Sequence, residues 1–166
     1  LVHPYVPEHV GPCSIDLTLS GEIRPEGNEE TPFATKVDLH HEGGYALQPG
    51  ERVLASTAEV IRMPRDKVGF LMLRSTAARM GLEHSFSGLV DPGFEGQLTL
   101  ELKNDLRTHT IWIAPRMRLV QMSVEAVEGS VIHGYDRVGY YQGQSGATPS
   151  NNQIHWYNRA RRRCIA

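Results

Sequence analysis

The chain has 166 residues, of which 40% are hydrophobic and 22% charged, and its formal net charge is −2. This length and composition fit one globular domain with a sizeable core. The near-neutral charge excludes a general attraction to polymeric nucleic acid or an anionic membrane surface. No apolar run approaches the ~20 residues of a membrane span. Cys13 and Cys164 form no disulfide framework, so we expect a reducing, cytoplasmic location.

Alternating apolar and polar residues predict β-strands along most of the chain. In chain order the predicted strands are 14–19, 52–60, 67–73, 96–102, 109–113 and 118–124. Turn signals containing Pro or Gly separate these segments. Many short strands with regular turns are typical of a sandwich or barrel, so the pattern predicts an all-β domain.

One segment, Ser75–Met80, has the composition of a short helix. A hydroxyl residue begins it as a possible N-cap, and Gly81 follows it as a C′ residue. Ser75 and Arg79 are four residues apart, so they share one helix face beside the positive end of the helix dipole and Arg74. This arrangement suits a phosphate group, and it is equally typical of a capped helix with a solvated arginine.

Glu101 lies in the predicted strand 96–102, with Thr99 on the polar face opposite the leucines. A glutamate in such a position is usually solvated. The turn Asp91-Pro92-Gly93 precedes this strand. Its aspartate could cap the turn, or it could orient a sugar hydroxyl or a water.

The sequence lacks the ligand pattern of the zinc deaminases. Those enzymes need a His- or Cys-x-Glu motif together with Pro-Cys-x-x-Cys. No second cysteine lies near Pro12-Cys13, where residue 16 is an aspartate, and His40-His41-Glu42 fits an exposed loop. The other histidines are scattered, and no Gly-rich phosphate loop or nucleophile elbow is present. We therefore expect no zinc and no metal held by the protein itself.

After Val138 the chain changes composition. Residues 139–152 are rich in Gly, Gln, Ser, Pro and Asn and contain the pair Tyr140-Tyr141, and residues 153–166 form a basic tail. The 139–152 segment is either a flexible tail or a lid that orders on a ligand. The predicted organisation is a β domain at 1–138, a closing lid at 139–152 and the tail.

Three stretches in order resemble the dCTP deaminase family of the trimeric dUTPase fold. They are 73–82 (Arg-Ser-Thr-Ala-Ala-Arg-Met-Gly at its centre), 88–102 (around Asp-Pro-Gly-Phe-Glu-Gly) and 141–150. Ser14-Ile15-Asp16-Leu17 also stands where the family has Ser-x-Asp-Leu. The resemblance implies a distorted β-barrel or jelly roll with one short helix, assembled as a homotrimer with shared active sites.

The resemblance also implies roles for individual residues. Glu101 matches the general base and acid that activates the water attacking C4 of cytosine, chemistry that a partly desolvated carboxylate performs without metal. Ser75 and Arg79 match residues that hold this water and the glutamate. The remaining nucleotide-binding matches are Arg74 and Thr76 (phosphates), Asp91 (deoxyribose), Thr99 and Leu100 (base edge, through the backbone), and Tyr135 and Gln144 (closure over the triphosphate). Mg²⁺ is expected on the triphosphate oxygens.

The expected reaction is hydrolysis of dCTP to dUTP and ammonia, with a possible continuation to dUMP and diphosphate. Three departures from the family pattern leave alternatives open. Phe86-Ser87 replaces Thr-Ala, the segment 83–85 is one residue short, and Tyr140 replaces a lysine. The alternatives are a dUTP diphosphatase, in which Asp91 helps to activate water, and a catalytically inactive nucleotide-binding relative.

Overall fold

The computed structural model describes residues 1–27, 33, 35–84 and 88–151. Residue 152, the predicted basic tail 153–166 and the divergent Ser85-Phe86-Ser87 segment lie outside the described residues. The described strands are β1 (Val2–His3), β2 (Ile15–Pro25), β3 (Val37–Asp38), β4 (Tyr45–Leu47), β5 (Arg52–Arg62), β6 (Lys67–Leu73), β7 (Leu82–His84), β8 (Leu89–Val90), β9 (Glu95–Asn104), β10 (Ile111–Ile113) and β11 (Arg118–Ala126).

Nine of these strands form one antiparallel sheet that curls into a half-barrel. The main path runs β7-β9-β5-β2-β11-β6-β8, while β1 pairs with β5 and β3 pairs with β2. The other two described strands, β4 and β10, form a small separate sheet. The prediction of an all-β domain is therefore confirmed.

Strand alternation places one face of each long strand in a continuous core. In β9 the even-numbered residues from Gly96 to Asn104 are buried and the odd-numbered ones are not. Leu100 and Leu102 pack in the core with Leu17, Ile23 and Met122. Since burying a large aliphatic side chain contributes roughly 1.5–3 kcal/mol, these alternating positions hold the sheet in register.

A β-bulge interrupts the pairing of β5 with β9. Ser56 pairs with Thr99, but the next pair is Val60 with Gln97, so β5 carries extra residues opposite Leu98. The bulge turns Glu59 inward, where its carboxylate accepts hydrogen bonds from the backbone N–H and hydroxyl of Thr18 at 2.9 and 2.7 Å. It also leaves residues 57–59 of β5 without register partners in β9.

The predicted helix is present as α2 (Ser75–Arg79), and Gly81 follows it with φ +89°. The predicted N-cap is wrong: the cap residue is Arg74, and no side chain caps the helix. Two further single-turn helices, α1 (Leu39–Glu42) and α3 (Tyr135–Val138), were not predicted. The His40-His41-Glu42 loop is thus a helical turn, because the Asp38 carboxylate accepts from the His40 N–H at 2.8 Å.

Candidate active site

Glu101 lies on the polar face of β9, as the alternation predicts. Its side chain is half-buried, as are those of Thr99 and Gln97 on the same face. Leu100 points the other way and is fully buried in the core. The Leu100 side chain is therefore not accessible from the polar face of β9.

His84 is a buried histidine beside Glu101 that the sequence reasoning missed. It pairs with Leu102 at the end of β7 and is 8% exposed. No described residue forms a hydrogen bond with its Nε2 atom. Burial lowers the pKa of His84 below its ordinary 6.5, while the carboxylates of Glu101 and Glu83 act in the opposite direction. The imidazole is therefore neutral near pH 7.

The alternation of Leu82, Glu83 and His84 was the available signal for this histidine. It predicts that Leu82 and His84 share a face, and both are buried. The segment was too short to be recognised as a strand, so the histidine remained one of several without a pattern.

The helix α2 presents its predicted site residues outward. Ala77 packs in the core, whereas Ser75, Thr76 and Arg79 are exposed. Among the described residues no hydrogen bond or ion pair engages the Arg79 guanidinium. The helix packs against β7, the neighbour of β9 in the sheet. Three polar groups are thus available on one surface to a substrate or to another subunit.

Arg74 is already engaged within the chain. Its Nε atom lies 3.0 Å from a carboxylate oxygen of Asp16, and the other oxygen lies 3.4 Å from the Arg118 guanidinium. Asp16 is the aspartate of the Ser-x-Asp-Leu stretch. The structure therefore joins two segments of the family resemblance at the start of α2.

The turn at Asp91 forms a second cluster with α3. Gly93 adopts φ +86°, and the backbone N–H of Tyr135 donates to the Pro92 carbonyl at 2.8 Å. The Tyr135 ring packs edge-on against Phe94, with ring centroids 5.4 Å apart. Burial is the main cause that raises the pKa of Tyr135, and the charge of Asp91 raises it further. The charge of Asp91 therefore acts on the Tyr135 hydroxyl from nearby.

The segment after α3 is docked on β9. The Tyr141 N–H donates to the Tyr135 hydroxyl at 3.2 Å, and the Gln144 side-chain amide donates to the Gln97 carbonyl at 2.7 Å. Further along, the Thr148 N–H donates to the Thr99 hydroxyl at 3.3 Å. This segment therefore covers part of the β9 face that carries Glu101. Its contacts on this face end at Thr99, two residues before Glu101.

A cavity of about 570 Å³ lies at the edge of this covered face. Ser20, Glu22, Asp38, His40, Gln97 and Gly146 line it. Glu101 and the α2 residues do not line it. It therefore adjoins the docked segment without containing the predicted catalytic groups.

The predicted site residues thus fall into three groups within one chain. Thr99, Leu100, Glu101 and Gln144 lie on or over β9; Asp91 and Tyr135 lie at the turn before β9; Arg74, Ser75, Thr76 and Arg79 lie at α2. The first two groups are connected by the docked segment. The α2 group faces outward instead.

The side chains offer no metal cage in the described part of the chain. No group of three or more His, Cys, Asp or Glu residues there could hold a metal ion. No helix among the described residues is long and apolar enough to cross a membrane.

Sequence comparisons relate the chain to dCTP deaminases. The family model described as dCTP deaminase-like matches residues 1–127. A protein from Acidothermus cellulolyticus, named dCTP deaminase, dUMP-forming, is 37% identical over 95% of this chain and 87% of its own length. A protein of the same name from Streptomyces griseus is 38% identical, over 91% of this chain and 86% of its own length.

Solved structures with the same fold include two nucleotide enzymes. A 2′-deoxycytidine 5′-triphosphate deaminase from Agrobacterium tumefaciens superposes with a TM-score of 0.62 at 21% identity, over 74% of this chain and 42% of that chain. A mutant dUTPase from phage phi11 of S. aureus superposes with a TM-score of 0.56 at 16% identity, over 80% and 94% of the two chains. The fold, the ordered motifs and the sequence matches agree: this chain belongs to the dCTP deaminase-like family.

Proposed function

We propose that the protein hydrolyses dCTP to ammonia and dUTP and then converts the dUTP to dUMP and diphosphate. The carrying observation is the half-buried Glu101 on the covered face of β9, in a chain of this family. Over both steps one dCTP and two waters give one dUMP, one ammonia and one diphosphate. The relatives are named dUMP-forming. These names are at odds with dUTP as the main product, which was our expectation from the sequence.

Glu101 is the proposed proton-transfer group of the first step. Its carboxylate takes a proton from a water, which adds to C4 of the cytosine ring. The same group then returns this proton to the exocyclic amino group, and the bond between C4 and that nitrogen breaks so that ammonia leaves. The remaining proton of the C4 hydroxyl passes to N3, which leaves the C4 carbonyl of uracil. A positioned general base and acid of this kind typically contributes 10²–10⁴-fold to a rate.

Ser75 and Arg79 are proposed to complete this site from a neighbouring subunit. Their exposure on α2 leaves both side chains accessible to a neighbouring subunit. Arg79 would hold the Glu101 carboxylate or a phosphate through paired hydrogen bonds. Ser75 would hold the attacking water.

An apolar surface beside α2 supports the homotrimer. Phe70 and Leu89 are paired across β6 and β8, and Met72 lies on the same face of β6. All three are large exposed hydrophobic side chains, with Leu89 57% exposed. Since β6 leads directly into α2, a second copy that covered this face would approach Ser75 and Arg79.

The assembly can be tested by sedimentation of a surface variant. Wild-type protein should sediment at three times the mass of one chain. Leu89→Arg should dissociate the trimer and lower activity with it, whereas Ile132→Arg, at another exposed apolar position, should change neither. A monomeric, active wild-type protein would contradict the shared site.

Magnesium is proposed to bind through the triphosphate, with no zinc at the reacting carbon. Phosphate oxygens are ligands of the kind that Mg²⁺ prefers in nucleotide sites. A zinc-selective chelator should then leave turnover unchanged, while removal of Mg²⁺ should weaken triphosphate binding. Activity that is lost to the chelator and restored by zinc would overturn this proposal.

Residues 139–152 are proposed to act as the lid over the bound nucleotide, with Gln144 and Tyr135 closing on the triphosphate. The docking of residues 141–148 on β9 supports this role. Closure would exclude water and strengthen electrostatic interactions around Glu101. Truncation after Val138 should raise KM or abolish turnover while the protein remains folded. Full activity of the truncated protein would show that the segment is dispensable.

Ammonia release distinguishes the proposed function from its alternatives. Purified protein should release ammonia from dCTP in the presence of Mg²⁺. A dUTP diphosphatase would release diphosphate from dUTP without releasing ammonia from dCTP. A regulatory relative would bind nucleotide and release neither product.

A further inference from the structure

The lid follows an edge of β9 that the sheet leaves open. The strand β7 pairs with β9 only at 102–104, so backbone groups at 95–97 need other partners. The Gly143 N–H donates to the Glu95 carbonyl at 2.7 Å, and the Gln97 N–H donates to the Gln144 carbonyl at 3.0 Å. The lid therefore forms hydrogen bonds with the backbone groups of the open edge, and it then crosses onto the β9 face at Gly146.

The Gln97 side chain stands at this crossing and binds both sides of it. Its Oε1 atom accepts from the Ser145 hydroxyl at 3.1 Å and from the Gly146 N–H at 2.7 Å. Its Nε2 atom donates to the carbonyls of Thr57 and Ala58 at 2.9 and 3.4 Å. Both carbonyls belong to residues of the β5 bulge that have no register partner in β9.

The bulge determines which way the Gln97 amide faces. The bulge carbonyl oxygens can only accept hydrogen bonds, so the NH₂ group of the Gln97 amide must point towards them. The Oε1 atom of Gln97 must then point towards the lid. The lid groups at this place, an N–H and a hydroxyl, are donors that this oxygen satisfies. Gly146 adopts φ +70°, a conformation that brings its N–H to the oxygen and that other residues rarely adopt.

We propose that Gln97 is a positioning residue that docks the lid over the Glu101 face of its own chain. The proposal rests on the lid function proposed above. Because the lid is proposed to close on the triphosphate, these contacts should raise the population of its docked state. The apparent affinity for nucleotide is proportional to the fraction of protein in the binding-competent state. A larger fraction with a docked lid should therefore bind nucleotide more tightly. Gln97 should therefore affect KM for the nucleotide more than kcat.

Gln97→Met tests the proposal, since it keeps the side-chain length and removes every hydrogen bond of the amide. Hydrogen exchange of the lid should rise about tenfold to thirtyfold without nucleotide, the loss expected for two neutral hydrogen bonds. KM for the nucleotide should rise by a similar factor. The kcat value should change by less than about threefold, because saturating nucleotide restores the docked lid. Gln48→Met makes the same change at an exposed glutamine outside the lid contacts, and it should alter neither.

Ser145→Ala guards against a folding defect in Gln97→Met, because it removes one lid bond without touching the bulge. It should show a smaller change in the same direction, about threefold to tenfold. Unchanged exchange in both variants would overturn the docking. Faster exchange with an unchanged KM would overturn the effect on nucleotide binding. If the wild-type protein releases no ammonia from dCTP, the proposed function fails, and the exchange measurement still decides the docking.

Discussion

Asp16 and Arg74 form an ion pair of 3.0 Å that ties the first long strand to the start of α2. Arg118 shares the same carboxylate at 3.4 Å. One carboxylate thus balances two guanidinium groups, and it holds Arg74 beside Ser75 and Thr76. A phosphate group that bound Arg74 would therefore compete with the Asp16 carboxylate for the same guanidinium.

Asp16→Asn should weaken both the fold and nucleotide binding. The partly buried pair contributes on the order of 1 kcal/mol, so urea unfolding should show a loss of about this size. KM for dCTP should rise because Arg74 loses its orientation. Asp105→Asn removes an exposed partner of Lys103 and should change little. Equal effects of the two substitutions would contradict a specific role for the Asp16 pair.

Glu101→Gln should abolish deamination and leave folding intact. The amide keeps the shape of the side chain but cannot move protons, so the rate of ammonia release should fall by about 10²–10⁴-fold. Binding of dCTP, measured by calorimetry, should persist. Glu95→Gln changes an exposed carboxylate on the same strand and face, and it should retain turnover. Near-wild-type ammonia release by Glu101→Gln would show that the catalytic assignment is wrong.

Ser75→Ala and Arg79→Ala should each impair turnover, and Arg79→Ala should do so more strongly because it removes a charge as well as hydrogen bonds. Both side chains are exposed, so thermal melting should barely change. Steady-state kinetics with dCTP checks the effect, and Arg107→Ala provides an exposed arginine as a control. If neither variant changes rate or affinity, α2 is only structural.

His84 should make the free energy of unfolding depend on pH. Its pKa is lowered in the folded protein, so the unfolded chain binds more protons just below pH 6.5. The free energy of unfolding should therefore decrease as pH falls below 6.5 towards the folded-state pKa, and remain unaffected by this group above 6.5. Urea unfolding at about pH 7.5 and at about pH 5.5, one on each side of 6.5, measures the difference in the free energy of unfolding.

His84→Gln should reduce this pH dependence, because glutamine does not titrate. His41→Gln, at an exposed histidine of α1, should preserve it. The same pH dependence in His84→Gln as in the wild type would mean that other groups cause it.

The long elements were predictable because their patterns are strong. The alternation in 96–102 predicted that the leucines of β9 face the core and that Glu101 and Thr99 do not. Short edge strands such as β3 and β8 have two residues each, so they contain no period that could be recognised. In the turn α1 the Asp38 carboxylate accepts a hydrogen bond from the His40 N–H, and composition does not reveal this contact.

For the candidate site, the sequence proposes residues but not their arrangement in space. The ordered motifs identified Glu101 and α2, yet spacing along the chain says nothing about whether they meet. The role of Gln97 depends on the β5 bulge, and a bulge has no signature in the alternation of β5. His84 was missed for a related reason, since its burial follows from pairing with Leu102 rather than from its own neighbours.

The most direct test of the account is a time course with dCTP and Mg²⁺ in which ammonia and diphosphate are measured separately. We predict that both products appear in a one-to-one ratio with the dCTP consumed, and that Glu101→Gln releases no ammonia. Ammonia without diphosphate would mean that the reaction stops at dUTP and would contradict the second step. Absence of ammonia from wild-type protein that is folded and binds dCTP would contradict the proposed function itself.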